Sequence, residues 1–226
     1  MLIAGFQKTS MLDYPGKLAA VVFAPFCNFN CVYCHNAQIL QEGAPLLDEE
    51  EVLSFLERRA GLLQAVVVSG GEPTLQQNLN EFIRRVREMG YLVKLDTNGA
   101  KPAVVKSLIA EKLLDYIAMD VKAPLPKYDT IARTNVDTDA VQRSILIIRN
   151  GGVPHEFRLT FAPQLTPEDA VETARLVKGC ERFYLQQYRP RSSADPKAHA
   201  PAVVRETAKR IEAEIGVCIV RGLGAQ

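Results

Sequence analysis

The amino-acid sequence predicts an α/β fold in which six consecutive βα units lay down a parallel sheet with helices outside it, in one domain. Three observations carry this. Short β-branched runs alternate with longer stretches of helical periodicity. Turn and cap residues punctuate the joins between them. The chain, 226 residues at 47% hydrophobic content, is long enough to bury one core without disulfides.

Residues 1–17 read as an N-terminal extension or hairpin, because Tyr14-Pro15-Gly16-Lys17 is turn chemistry, and the main domain follows over 18–226. Strands are expected at 18–24, 65–69, 91–96, 116–121, 155–161 and 182–188, with a short final strand at 217–220. Between them Leu79, Phe82, Ile83, Val86 and Met89 recur at helical spacing, as do Val104, Leu108 and Ile109, and again Val141, Ile145 and Ile148. Such stripes face a core. Asp48 before a Glu-rich run and Thr166-Pro167-Glu168-Asp169 are helix starts, while Gly90 and Gly179 fall just past helix ends. Periodicity does not choose between an open doubly wound sheet and a barrel. Both place ligands at the carboxyl ends of the strands, so chemistry is sought there.

Charge excludes several classes of partner. Lys and Arg number 27 against 26 Asp and Glu, for a net charge of +1, and neither sign forms a block, so neither nucleic acid nor an anionic membrane is expected. The start of the chain lacks a leader pattern and the apolar run 18–26 is too short to span a bilayer, which reads as a cytoplasmic protein. Of 5 cysteines, Cys27, Cys31 and Cys34 crowd into one short loop directly after the first expected parallel strand. That arrangement suits ligand thiolates better than disulfides. Three thiolates on a cubane cluster would leave one iron open to a further ligand. With His35 as a fourth ligand they could instead close a structural zinc site in a non-enzymatic protein, although zinc motifs more often pair two separated dyads. Cys180 and Cys218 stand alone and read as small buried hydrophobes.

Cys-x3-Cys-x2-Cys with Tyr33 before the last cysteine resembles the signature of the radical S-adenosylmethionine (SAM) superfamily. The continuation Cys34-His35-Asn36 and the upstream Ser10 to Lys17 segment are similar to activating enzymes of glycyl radical enzymes, above all those serving anaerobic ribonucleoside-triphosphate reductase. The resemblance runs from about residue 6 to Pro190. It implies a partial (βα)6 TIM-like barrel, a 4Fe-4S cluster on Cys27, Cys31 and Cys34, and SAM at the open iron. It also implies reductive cleavage of SAM to a 5'-deoxyadenosyl radical, and abstraction of a hydrogen atom from a glycine of a protein partner under anaerobic conditions. A flavodoxin- or ferredoxin-like electron donor belongs to the same expectation.

Motifs at later strand ends fit the resemblance. Ser69-Gly70-Gly71-Glu72-Pro73 offers two glycines for close backbone approach and a carboxylate for an ammonium group; in the family this segment meets the SAM amino group. Asp96-Thr97-Asn98-Gly99 doubles as turn chemistry, and family likeness sets Asp96 and Asn98 near SAM. Asp120 and Lys122 resemble the Asp-x-Lys pair facing the SAM ribose and carboxylate; alone they would read as a surface ion pair. Arg158 either reaches the SAM carboxylate or pairs with an acid on the neighbouring strand. Gln186 and Tyr188 stand where the family meets adenine, and a monovalent cation near Asp96 and Asp120 is a further expectation. Competing readings are an activase of pyruvate formate-lyase or another glycyl radical enzyme, and a small-molecule enzyme like 7-carboxy-7-deazaguanine synthase.

Overall fold

A computed structural model describes residues 1–34 and 45–223, so His35 and Asn36 lie outside the described residues. The described strands are β1 (Gly5–Ser10), β2 (Ala19–Ala24), β3 (Ala65–Gly70), β4 (Leu92–Thr97), β5 (Tyr116–Asp120), β6 (His155–Phe161), β7 (Phe183–Gln187) and β8 (Ile219–Arg221). The helices are α1 (Glu49–Arg59), α2 (Leu79–Glu88), α3 (Pro102–Ala110), α4 (Tyr128–Ala132), α5 (Thr138–Asn150), α6 (Pro167–Arg175) and α7 (Pro201–Ile215). The protein is α/β, and its eight-stranded sheet follows chain order from β1 to β8. β1 pairs antiparallel with β2, so the expected extension is a strand added to the sheet. β2, β3 and β4 run parallel, as do β6, β7 and β8.

Residue contacts divide the chain into two compact units. The first holds β1 to β4 and most of β5. Ala19↔Ala65 through Ala24↔Gly70 align β2 with β3, and Ala65↔Leu92 continues the register to β4. Its sheet buries Tyr14, Ala19, Val21, Ala65, Val67 and Tyr116 in one cluster. Leu79, Phe82, Ile83 and Val86 bury one face of α2, the stripe expected from spacing. In α3 the buried pair is Val105 and Leu108, so Val104 and Ile109 of the expected stripe are only partly covered. Two buried positions in a nine-residue helix define a face too narrow for periodicity to orient.

The second unit holds the end of β5 and everything after it, together with residues 98–100 and the cysteine-loop residues 29–34. Phe157↔Phe183 and Tyr184↔Ile219 set the register of β6, β7 and β8. Thr166 and Asp169 close a capping box at the start of α6, with Pro167 at its first turn. A short 3-10 turn and α4 precede α5 where no helix was expected. Five residues are too few to show a period, yet Tyr128, Ile131 and Ala132 are buried. Among the described residues no helix is long and apolar enough to cross a membrane.

Candidate active site

In the first unit, the segment that leads into Cys27 is tied to the Gly-Gly-Glu turn. Phe26 adopts a left-handed backbone (φ 63°), and its carbonyl accepts from Glu72 N at 2.8 Å. Gly71 N donates to Ala24 O at 2.8 Å, and Gln76 Nε2 to Pro25 O at 3.3 Å. Gly70 lies at φ +112°, where a Cβ would sit 2.4 Å from Ala24 N and 2.5 Å from Ala24 O. The missing side chain at Gly70 therefore makes room for the neighbouring strand.

Glu72 is 1% exposed. It caps the turn Pro73–Leu75, accepting from Thr74 N at 3.2 Å, and also from the Thr74 hydroxyl and from Thr97 Oγ1 at 2.7 Å. The backbone around it is therefore held by the carboxylate expected to meet SAM. Asp96 accepts from Ser69 Oγ at 3.0 Å and from Lys94 Nζ at 2.7 Å. Lys94 is buried and donates also to Asp13 O at 2.7 Å. Sequence reading missed Lys94, Thr74 and Thr97. Lys94 left a signal, because a lysine two residues before a carboxylate in an apolar strand shares its face.

In the second unit, residues 29–34 dock on the end of α4. Asn30 N donates to Ala132 O at 2.8 Å and Val32 N to Ile131 O at 3.1 Å, which satisfies carbonyls that the helix end leaves open. Phe29 packs edge-on against Tyr128 at 6.3 Å. Cys34 N donates to Cys31 O at 3.0 Å, closing a tight turn that keeps both thiols half-buried. Burial pushes the Cys31 thiol up, while the Lys122 ammonium favours its thiolate. Tyr33 is buried with Lys122 Nζ 5.8 Å from its ring centre, and its hydroxyl has no hydrogen-bond partner among the described residues. Burial also raises the Tyr33 phenol.

Asp120 ends β5. It accepts from Arg158 Nε at 2.7 Å and from Lys122 Nζ at 3.0 Å. Burial alone would raise its carboxyl, but Arg158 and Lys122 hold it well below the carboxylate range. Burial likewise would lower Lys122, and the Asp120 carboxylate holds it well above the ordinary ammonium value. Side-chain exposures are 29% for Asp120 and 13% for Lys122, so the pair is partly shielded from solvent. Arg158 thus pairs with Asp120, an acid of the neighbouring strand. Asn98 is buried and its Oδ1 accepts from Ala100 N at 2.9 Å, the turn chemistry its sequence suggested. Tyr188 is buried and Gln186 half-buried, so the two are unequally placed. Burial pushes the Cys180 and Cys218 thiols up to about 11 and about 12, in keeping with inert residues.

Among the described residues no three His, Cys, Asp or Glu side chains close around a single ion. The fit to a larger polar guest rests on the half-buried thiols and on the Tyr33 hydroxyl of the cysteine loop, which is unmet among the described residues. An unmet buried hydroxyl costs about 1–3 kcal/mol, which a bound polar group would relieve.

The structure shows a mostly parallel βα sheet with three cysteines following its first parallel strand. The sequence profile of the Radical SAM superfamily matches residues 21–177, and the chain belongs to that superfamily. Membership implies a 4Fe-4S cluster and SAM. A Methanocaldococcus jannaschii protein described as a glycyl-radical enzyme activating enzyme is 37% identical over 200 residues, 86% of this chain and 82% of that one. The 7-carboxy-7-deazaguanine synthase of Thermococcus kodakarensis is 27% identical over 151 residues, 65% of this chain and 56% of its own length. The fold is shared with Streptococcus suis SuiB in its crystal structure with precursor peptide SuiA, at TM-score 0.71 and 14% identity over 89% of this chain and 48% of that one.

Proposed function

We propose that the protein is an activase that generates a glycyl radical on a partner enzyme, with anaerobic ribonucleoside-triphosphate reductase as the preferred partner. The observation that carries the reading is 37% identity, across most of both chains, to a protein described as a glycyl-radical enzyme activating enzyme. In this reading Cys27, Cys31 and Cys34 hold the cluster. Glu72 with the Gly70 and Gly71 backbone takes the SAM amino group, and Tyr33, Asp96 and Asn98 line the cofactor. Asp120 and Lys122 meet its ribose and carboxylate. Arg158 keeps Asp120 ionised, so that it accepts hydrogen bonds at neutral pH, and Lys122 brings a permanent positive charge. When bound, cluster and SAM supply a one-electron cleavage that yields a radical able to take a hydrogen atom.

The reading does without a monovalent cation. Asp96 already meets Lys94, and Asp120 already meets Arg158 and Lys122. The electron donor remains a flavodoxin- or ferredoxin-like protein. The match to the Thermococcus synthase supports a second reading, a small-molecule substrate. Release of 5'-deoxyadenosine from reconstituted, reduced protein separates the two. The activase reading expects slow release alone and at least about tenfold faster release with the glycyl radical partner, a barrier change of about 1.4 kcal/mol. Acceleration by a purine-like small molecule and none by any such partner would overturn it. Replacing any of the three cysteines by Ala should abolish iron retention and release together.

A further inference from the structure

We propose that Arg191 is a positioning residue for the cysteine loop, clamping the Cys34 carbonyl and setting the electrostatic environment of the cluster; this rests on the cluster reading above. Arg191 Nη1 donates to Cys34 O at 3.1 Å, across a separation of 157 residues. No motif at the strand ends predicts that contact. The guanidinium is itself held in place. Asp195 Oδ2 accepts from Arg191 N at 2.7 Å, Arg191 Nε at 3.3 Å and Ser192 N at 3.2 Å, so one carboxylate fixes both the backbone and the fork of Arg191. These bonds hold the Asp195 carboxyl below its ordinary value.

The segment that carries Arg191 is anchored at its far end as well. His199 stacks on Phe161 with ring centres 3.9 Å apart, and its Nε2 lies 3.2 Å from Ala162 O. Gln187 Nε2 donates to His199 O at 3.0 Å, joining the end of β7 to the start of α7. Residues 188–200 therefore form a strap pinned beside β7, and its bond to the cysteine loop falls on the last ligand thiol's own residue. The Cys34 turn is closed from within by Cys34 N to Cys31 O. Arg191 holds the same residue from outside.

Two consequences follow from the chemistry. A cluster gains negative charge on reduction, so a guanidinium next to one ligand's backbone favours the reduced form, as hydrogen bonds and charge near a cluster generally do. A planar fork anchored by a carboxylate also limits the motion of the loop before any cluster is present. Arg191 is exposed, so substitution leaves the core intact.

The test compares wild type with Arg191→Gln, Arg191→Lys and Asp195→Asn. In apoprotein, Cys34 alkylation by iodoacetamide should be several-fold faster in Arg191→Gln and Asp195→Asn than in wild type. In reconstituted protein, the cluster's midpoint potential should be more negative in Arg191→Gln and recover toward wild type in Arg191→Lys. Unchanged alkylation together with unchanged potential would overturn the proposal. If wild type takes up no iron and sulfide, the cluster reading fails. The alkylation rates still decide whether Arg191 clamps the loop.

Discussion

At the scale of single residues, two glycines in left-handed backbone carry opposite lessons. Gly70 and Gly16 both have positive φ, at +112° and +68°, but only Gly70 faces backbone atoms, whereas nothing lies within 4 Å of a Cβ built on Gly16. Gly16→Ala should cost about 1 kcal/mol of strain. Gly70→Ala should cost about 3 kcal/mol or more, because Ala24 cannot give way without breaking the pairing of β2 with β3. Urea unfolding of the two variants measures the difference. Lys94 sets a second expectation. Lys94→Met leaves Asp96 without its buried ammonium, and loss of one partner from a buried pair costs about 3–5 kcal/mol. A loss below about 1 kcal/mol in the same unfolding assay would show that Asp96 is satisfied without Lys94, with Ser69 among its partners. The cysteines, Glu72 and the Asp120–Lys122 pair were legible in the sequence because their residue types and spacing carry chemistry. Arg158's partner was not, since strand neighbours are set by register, which the sequence leaves open.

At the scale of elements, strand positions were readable to within a residue or two, and β6 matched at both ends, because runs in parallel sheets that are buried on both faces read as short apolar stretches, as in Ala65–Gly70. α4 was not readable, being shorter than the period it would have to display. The capping box of α6 makes a testable case. Asp169 accepts from Thr166 N at 2.7 Å and meets Lys127 Nζ at 2.6 Å, and burial would raise its carboxyl, but Lys127 and the cap hold it below the ordinary value. A lowered folded-state value means that the stabilisation is complete above the unfolded carboxyl's value, about 3.9, and fades as pH falls through the folded one. Thermal unfolding should therefore show Asp169→Asn closing on wild type as pH drops below about 4, after a deficit of about 1 kcal/mol at neutral pH. A deficit independent of pH would assign the loss to packing. Thr166→Ala should cost about 1 kcal/mol, with little dependence on pH, since the hydroxyl does not titrate.

At the scale of the whole molecule, alternation of strand and helix was enough to read an α/β fold, and the cysteine loop after the first parallel strand was enough to read the family. The target of the radical was not legible, since partner recognition is spread over surface residues that carry no spacing signal. Reconstituted, reduced protein with SAM and anaerobic ribonucleoside-triphosphate reductase, followed by electron paramagnetic resonance, tests the central claim most directly. The account predicts a doublet that forms on the reductase, requires Cys27, Cys31 and Cys34, and collapses to a singlet when the glycines carry deuterium at the α-carbon. Cleavage of SAM with no doublet on the reductase or on any other glycyl radical enzyme would contradict it.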